Sequence, residues 1–251
     1  MQSTGQEATS YKILAQRIKT LLTFLRSPIG LTLLALILIS FGLIFWFSPQ
    51  ALNYLQHKFN QRFVFFSISE PFLAMLKFSV VCLIILFFPL VWLGVISTLD
   101  ALFFLPKRLS FLLFFSGIIL FYLGVVFAYF VVLPYGIKFL LSFQTEEIKP
   151  AISLEHFANF FGFFLLLFGA IFELPLMMVF LTMIKVLNPQ KLSKYRKGIF
   201  FFVVVFSAVI TPTPDAINMS LLAIPLYLLF EAGLFLSKSL SKKLELFKNF
   251  N

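Results

Sequence analysis

Residues 156–186, HFANFFGFFLLLFGAIFELPLMMVFLTMIKV, decide how the rest of the chain is read. These 31 residues of almost unbroken aromatic and aliphatic character would form a helix of about 46 Å at ~1.5 Å per residue, well beyond a ~30 Å hydrocarbon core. Such a stretch has to tilt, bend or project from the bilayer. Pro175 supplies the bend. One acid, Glu173, stands just before it and is alone between Asn159 and Ile184. An ionised carboxylate at mid-bilayer depth costs several kcal/mol unless it is paired or wetted. The bland reading is a protonated carboxyl hydrogen-bonded to a neighbouring helix. The functional reading is a membrane-buried polar site.

Composition extends this reading to the whole chain. Its 251 residues are 61% hydrophobic and include 38 phenylalanines, which a water-soluble fold would have to expose as large apolar patches. The expected class is an all-α polytopic membrane protein, because the apolar stretches are too long and uniform for a membrane barrel's alternating strands. A single cysteine, Cys82, sits inside an apolar run, so neither a disulfide framework nor a thiol metal cluster is available. The histidines, His57 and His156, lie far apart, and no Walker-type loop or nucleophile triad is present. No catalytic residue, metal ligand or cofactor is expected, and the chain does not read as an enzyme. The net charge of +10 comes from residues beside the spans, where it argues for orientation and not for nucleic acid.

Taken in order, the apolar stretches predict six spans at about 29–47, 72–96, 109–132, 156–186, 198–210 and 219–236. They divide the chain into a basic, amphipathic segment 1–28, a six-helix membrane domain 29–236 and a basic tail 237–251. Residues 50–69 alternate polar and aromatic side chains and suit an interfacial helix or cap after Ser48-Pro49. Lys77 is positioned to snorkel from the second span, and the third span is expected to end at Pro134. Pro89, Pro175 and Pro225 are candidate helix kinks. The fifth span has only 13 apolar residues, roughly 20 Å, and the sixth is also short. Two short helices beside a buried glutamate imply a polar dent in the bilayer. Fifteen of the twenty basic residues fall on the side that holds both termini, which assigns that side to the cytoplasm or its organellar equivalent.

Six blocks in unbroken order resemble the TatC family, the multispanning core of the twin-arginine protein translocase. They are Phe66-Ser-Ile-Ser-Glu-Pro-Phe72 followed by Lys77, Leu123-Gly-Val-Val-Phe-Ala-Tyr-Phe-Val-Val-Leu-Pro134, Phe168-Gly-Ala-Ile-Phe-Glu-Leu-Pro175, Tyr195-Arg-Lys197, Thr213-Pro-Asp215 and Leu222-Ala-Ile-Pro-Leu-Tyr-Leu-Leu-Phe-Glu231. The resemblance spans about 48–237. It implies a concave six-helix arrangement with Glu173 in a membrane-facing pocket, and an extracytoplasmic cap around Pro49, Glu70 and Pro71. It also implies a contact for single-span TatA/TatB-like partners through Thr211, Asp215, Asn218 and Ser220 on the fifth and sixth helices. The implied function is docking of twin-arginine signal peptides and partner subunits in a homo-oligomeric complex. That complex would export folded proteins across a bacterial inner membrane, or an organellar inner or thylakoid membrane, using the proton gradient.

The chain departs from the family pattern where the family reads the signal peptide. Gln16 and Pro106 stand in place of the family's two glutamates. Guanidinium groups favour carboxylates at bidentate geometry, so Asp100, with Gln16 and backbone carbonyls, is the replacement candidate, flanked by Arg17, Lys107 and Arg108. The alternative function is a proton-coupled secondary transporter of small solutes with Glu173 as the proton site. Against it, the halves show no evident inverted repeat, and apart from Glu173 no charged group lies mid-span.

Overall fold

The computed structural model describes the backbone of residues 27–59, 63–141, 152–210 and 216–249. Helix α1 (Pro28–Lys58) starts where Ser27 accepts the Gly30 N–H at 3.1 Å and Pro28 occupies the first turn. The helix does not stop at Ser48-Pro49, which corrects the expected break there. Proline lacks the N–H that would bond the carbonyl four residues back. The Ser48 hydroxyl donates to that same carbonyl, Phe45 O, at 2.7 Å, so the ladder continues.

Strand β1 (Phe63–Val64) leads into α2 (Glu70–Phe103), which passes through Pro89 in the same manner. Here the orphaned carbonyl is Ile85 O, and the Tyr122 hydroxyl of the next helix donates to it at 2.9 Å. Phe104 adopts the left-handed region at φ 50° and closes α2, its N–H donating to Asp100 O at 2.9 Å. The interval 97–108 left between the expected second and third spans therefore shrinks to residues 104–106 between α2 and α3 (Lys107–Phe127).

Beyond α3 comes a π-helical turn, Ala128–Val132, then α4 (Leu133–Leu141). The expected end of the third span at Pro134 is thus corrected too. A proline ring would clash with the carbonyl of Phe130 in a regular α-helix. The wider π-turn, in which the Leu133 N–H reaches Ala128 O, makes room for it.

Strand β2 (Ile152–Ser153) pairs in parallel with β1, Phe63 opposite Ile152 and Val64 opposite Ser153. Two loops far apart in sequence are thereby joined at one end of the bundle. Helix α5 (Leu154–Phe172) is the central element, packed against α2 and α3, with Phe157, Phe161, Phe164, Leu165 and Phe168 in the core. The expected bend is present: Glu173 is a turn residue, and α6 (Leu174–Met183) restarts with Pro175 in its first turn. Two glycines let helices close around this break. A Cβ at Gly124 on α3 would run into the Phe168 carbonyl, and one on Gly233 would meet Pro175 Cα at 2.9 Å.

Helix α7 (Pro189–Lys194) is capped by the Asn188 carboxamide and leads to α8 (Arg196–Ile210) and α9 (Ala216–Asn249). The 15 residues of α8 span only about 22 Å, short of a bilayer as expected. The expected short sixth helix is corrected: α9 runs on through the basic tail to reach 34 residues, with Pro225 inside it, and its Leu222–Lys242 stretch is long enough to cross a membrane. Among the described residues, five helical stretches are long and apolar enough to cross a membrane: Gly30–Lys58, Glu70–Phe103, Lys107–Lys138, Leu154–Met183 and Leu222–Lys242. With α8 as the short sixth, the chain is a multi-pass helical membrane protein.

Candidate functional site

Glu173 lies at the break between α5 and α6 and is 7% exposed. Both carboxyl oxygens are sealed from the surface and have no hydrogen-bond partner among the described residues. Its backbone is engaged normally, the N–H donating to Ala170 O at 3.2 Å and the carbonyl accepting from Met177 at 2.9 Å. The residues around the break are apolar and tightly packed: Phe127 lies 5.6 Å from both Phe168 and Phe172, and Phe172, Pro175 and Leu176 are buried. Among the described residues the carboxyl oxygens face no open surface, and α3 and α9 approach closely on either side of the break. A polar group without a partner at such a position costs free energy.

The end of the bundle at the α2–α3 turn carries Asp100, half-buried, with its Oδ1 accepting the Ser110 hydroxyl. Lys107 and Arg108 are exposed at the start of α3, and Pro106 occupies its N-cap in extended conformation without a side-chain cap. Leu102 and Phe104 are exposed beside them, while Phe103 packs edge-on against Phe180 of α6 at 5.5 Å. Asp100, Lys107 and Arg108 thus share one corner. Gln16 and Arg17 lie outside the described residues.

At the opposite end Glu70 is the knot of a cap. Its Oε2 accepts the Phe66 N–H at 2.6 Å, and its Oε1 accepts the Ser153 hydroxyl and the Glu155 N–H. Ser153 also caps α5 by accepting the His156 N–H at 3.2 Å, and the His156 ring meets it at 2.9 Å. Lys77, expected to snorkel to the interface, remains partly exposed and pairs with Glu155 across the α2–α5 interface. Pro49 and Pro71 line a groove of about 200 Å³ beside this knot, together with Phe65 and Leu154. Ser153 and Glu155 were not legible as cap residues, because only the β1–β2 pairing brings them to Glu70.

Of the residues implied for partner contact, Ser220 is exposed on α9 and Asn218 belongs to its first turn. Thr211 and Asp215 lie outside the described residues. The blocks around Tyr195 and Glu231 are brought together: Arg196 donates to Glu231 Oε2 at 2.8 Å and the Tyr227 hydroxyl to Oε1 at 2.9 Å. No group of three or more histidine, cysteine or acidic side chains is placed to hold a metal among the described residues.

Comparison with known proteins follows the same outline. The family model for the Sec-independent protein translocase protein (TatC) matches residues 20–225. The Sec-independent protein translocase protein TatC of Carboxydothermus hydrogenoformans is 33% identical over 190 residues, 73% of this chain and 76% of that protein. The TatC of Aquifex aeolicus is 30% identical over 214 residues, 82% and 88% of the two chains. A crystal structure of the twin-arginine translocase receptor TatC, determined in DDM, superposes with a TM-score of 0.69 at 30% identity. That likeness covers 86% of this chain and 98% of the other.

Proposed function

This chain belongs to the TatC family of Sec-independent protein translocase proteins, and on that premise we propose how its own residues carry out the family's work. The protein is a receptor subunit of a twin-arginine protein translocase, a transport component and not an enzyme, and as such it works in a complex with other Tat components. The finer reading starts from Glu173. A carboxyl buried at a helix break with both oxygens unpartnered among the described residues is costly to keep in a membrane. It is best explained as half of a contact whose other half arrives with a guest helix. The guest is the hydrophobic segment of a signal peptide or the single span of a TatA/TatB-like partner, which offers a polar group to Glu173 once α6 and α9 part. Thr211, Asp215, Asn218 and Ser220, at the start of α9 and just before it, form the second partner contact.

The twin-arginine motif docks at the Asp100 corner. Ser110 holds one carboxylate oxygen, fixing the group so that the other can accept a guanidinium with little further ordering. Gln16 adds a neutral acceptor. Arg17, Lys107 and Arg108 oppose the motif at long range, so recognition here rests on short-range hydrogen bonds and is sensitive to geometry. The Glu70 cap keeps the outer ends of α2 and α5 together while α6 and α9 move. The distribution of basic residues supports cytoplasmic termini in a bacterial inner membrane, with an organellar inner or thylakoid membrane as the alternative. Export is driven by the proton gradient, in a homo-oligomeric assembly.

The test is photocrosslinking from probes at 100, 16 and 173 to a precursor carrying a twin-arginine signal peptide, in membranes that contain the partner subunits. Crosslinks from 100 and 16 to the arginine motif, and from 173 to the apolar segment or a partner span, are expected. Crosslinks from none of the three, in membranes that still export the precursor, overturn the assignment.

A further inference from the structure

The bundle end formed by α7, the start of α8 and the last turns of α9 has a chemistry that the translocase reading does not use. Lys185, Lys191, Lys194, Arg196, Lys197 and Lys242 are exposed there and Lys238 is half-buried. Among residues whose side chains are described, the acid facing this platform is Glu231, and Arg196 and Tyr227 occupy both its oxygens. Among the described residues, the other cations of the platform have no ion-pair partner.

The platform is held in place. Lys238 donates to Ser193 at 2.7 Å, the Gln190 carboxamide donates to Ser241 at 3.4 Å, and Asn188 caps α7. Its depth follows from what lies beneath: Pro189 is buried, and Leu192 packs against the Met178, Phe230 and Leu234 cluster. Helix α7 thus packs against α6 and the 230–241 stretch of α9, where the membrane-crossing segments stop. Val186 is 72% and Tyr195 68% exposed between the lysines. An aliphatic and an amphipathic aromatic side chain interleaved with cations is the pattern of a surface at headgroup level.

We propose that this platform is a binding surface for anionic phospholipid headgroups. The ammonium groups meet the phosphates while Tyr195 and Val186 enter the acyl boundary. An acidic protein segment is the weaker match, since the exposed apolar residues sit at the depth where lipid already surrounds the helices. Each cation near such a surface strengthens binding about fivefold at low salt, and the effect shrinks within a Debye length as salt rises.

The full-length protein is examined by native mass spectrometry during titration with phosphatidylglycerol or phosphatidylcholine. The expected result is a preference for the anionic lipid that falls about fivefold for Lys191→Gln. It should fall further for the combined Lys191→Gln, Lys194→Gln and Lys242→Gln variant, and be kept by Lys191→Arg and by Lys138→Gln at the far end. Circular dichroism melting checks that each variant is folded. No preference in the wild-type protein, an unchanged preference in the folded triple variant, or an equal loss in Lys138→Gln overturns the proposal. So does a triple variant that stops binding a polyglutamate peptide yet retains phosphatidylglycerol as before, which assigns the platform to an acidic protein.

Discussion

Replacing Glu173 with methionine should separate the stability of this protein from its activity. The side chain is 7% exposed and both carboxyl oxygens are unpartnered among the described residues, so the folded state carries the cost of a buried polar group with nothing in return. That cost is about 1–3 kcal/mol. Methionine has nearly the same length and a flexible thioether that fills irregular space, so the substitution removes the cost without opening a cavity. For a chain of this size 1 kcal/mol moves the unfolding midpoint by about 2–4 °C, which gives an expected rise of roughly 2–12 °C. Glu173→Gln keeps polar atoms in the same place and should gain little, while Glu173→Ala opens a void and should lose stability. The assay pairs thermal unfolding of the purified protein with export of a folded twin-arginine precursor. A Glu173→Met protein that melts below wild type would mean the carboxyl has a stabilising partner inside the chain. One that exports normally would remove Glu173 from the docking mechanism.

Three further sets of substitutions probe the packing. Tyr122→Phe strips the Ile85 carbonyl of its hydroxyl donor and should destabilise by about 1–3 kcal/mol. In a Pro89→Ala background, which restores the backbone N–H, the same change should cost less, and an equal cost in both backgrounds would refute the compensation. Gly124→Val forces α3 away from the Phe168 carbonyl and should lower stability by about 1–3 kcal/mol. Gly42→Ala, with nothing within 4 Å, should be neutral or slightly stabilising; thermal midpoints of the two distinguish close approach from mere helix content. Arg196→Glu and Glu231→Arg should each weaken the α8–α9 contact by up to about 1 kcal/mol, as befits a half-exposed pair. Their combination should recover most of the loss in a double-mutant cycle, and additive losses would show that the pair contributes nothing.

The sequence alone determined the solvent of this protein and the order of its crossings. Length, composition and runs of apolar residues are enough for that, because a bilayer selects on local hydrophobicity and on the internal bonding of each helix. The bend at Glu173 was legible because the 31-residue apolar stretch is too long for one straight crossing and Pro175 is a position where a helix can restart. The shortness of α8 was legible too, since thirteen apolar residues set a length. What the other prolines do was decided only in three dimensions. Pro49 and Pro89 do not interrupt their helices, because Ser48 and Tyr122 take up the carbonyls those prolines release, and Tyr122 comes from another helix. Pro134 is absorbed by a π-turn. The cap likewise depends on a two-residue parallel ladder that joins residues almost ninety positions apart, a contact that local composition does not encode. The same holds for Glu173. Sequence placed an acid in oil, but whether that acid is wet, paired or sealed depends on how closely α3 and α9 approach the break. That distance is set by glycines on helices remote in the chain, and so by packing between elements and not by the pattern within any one of them.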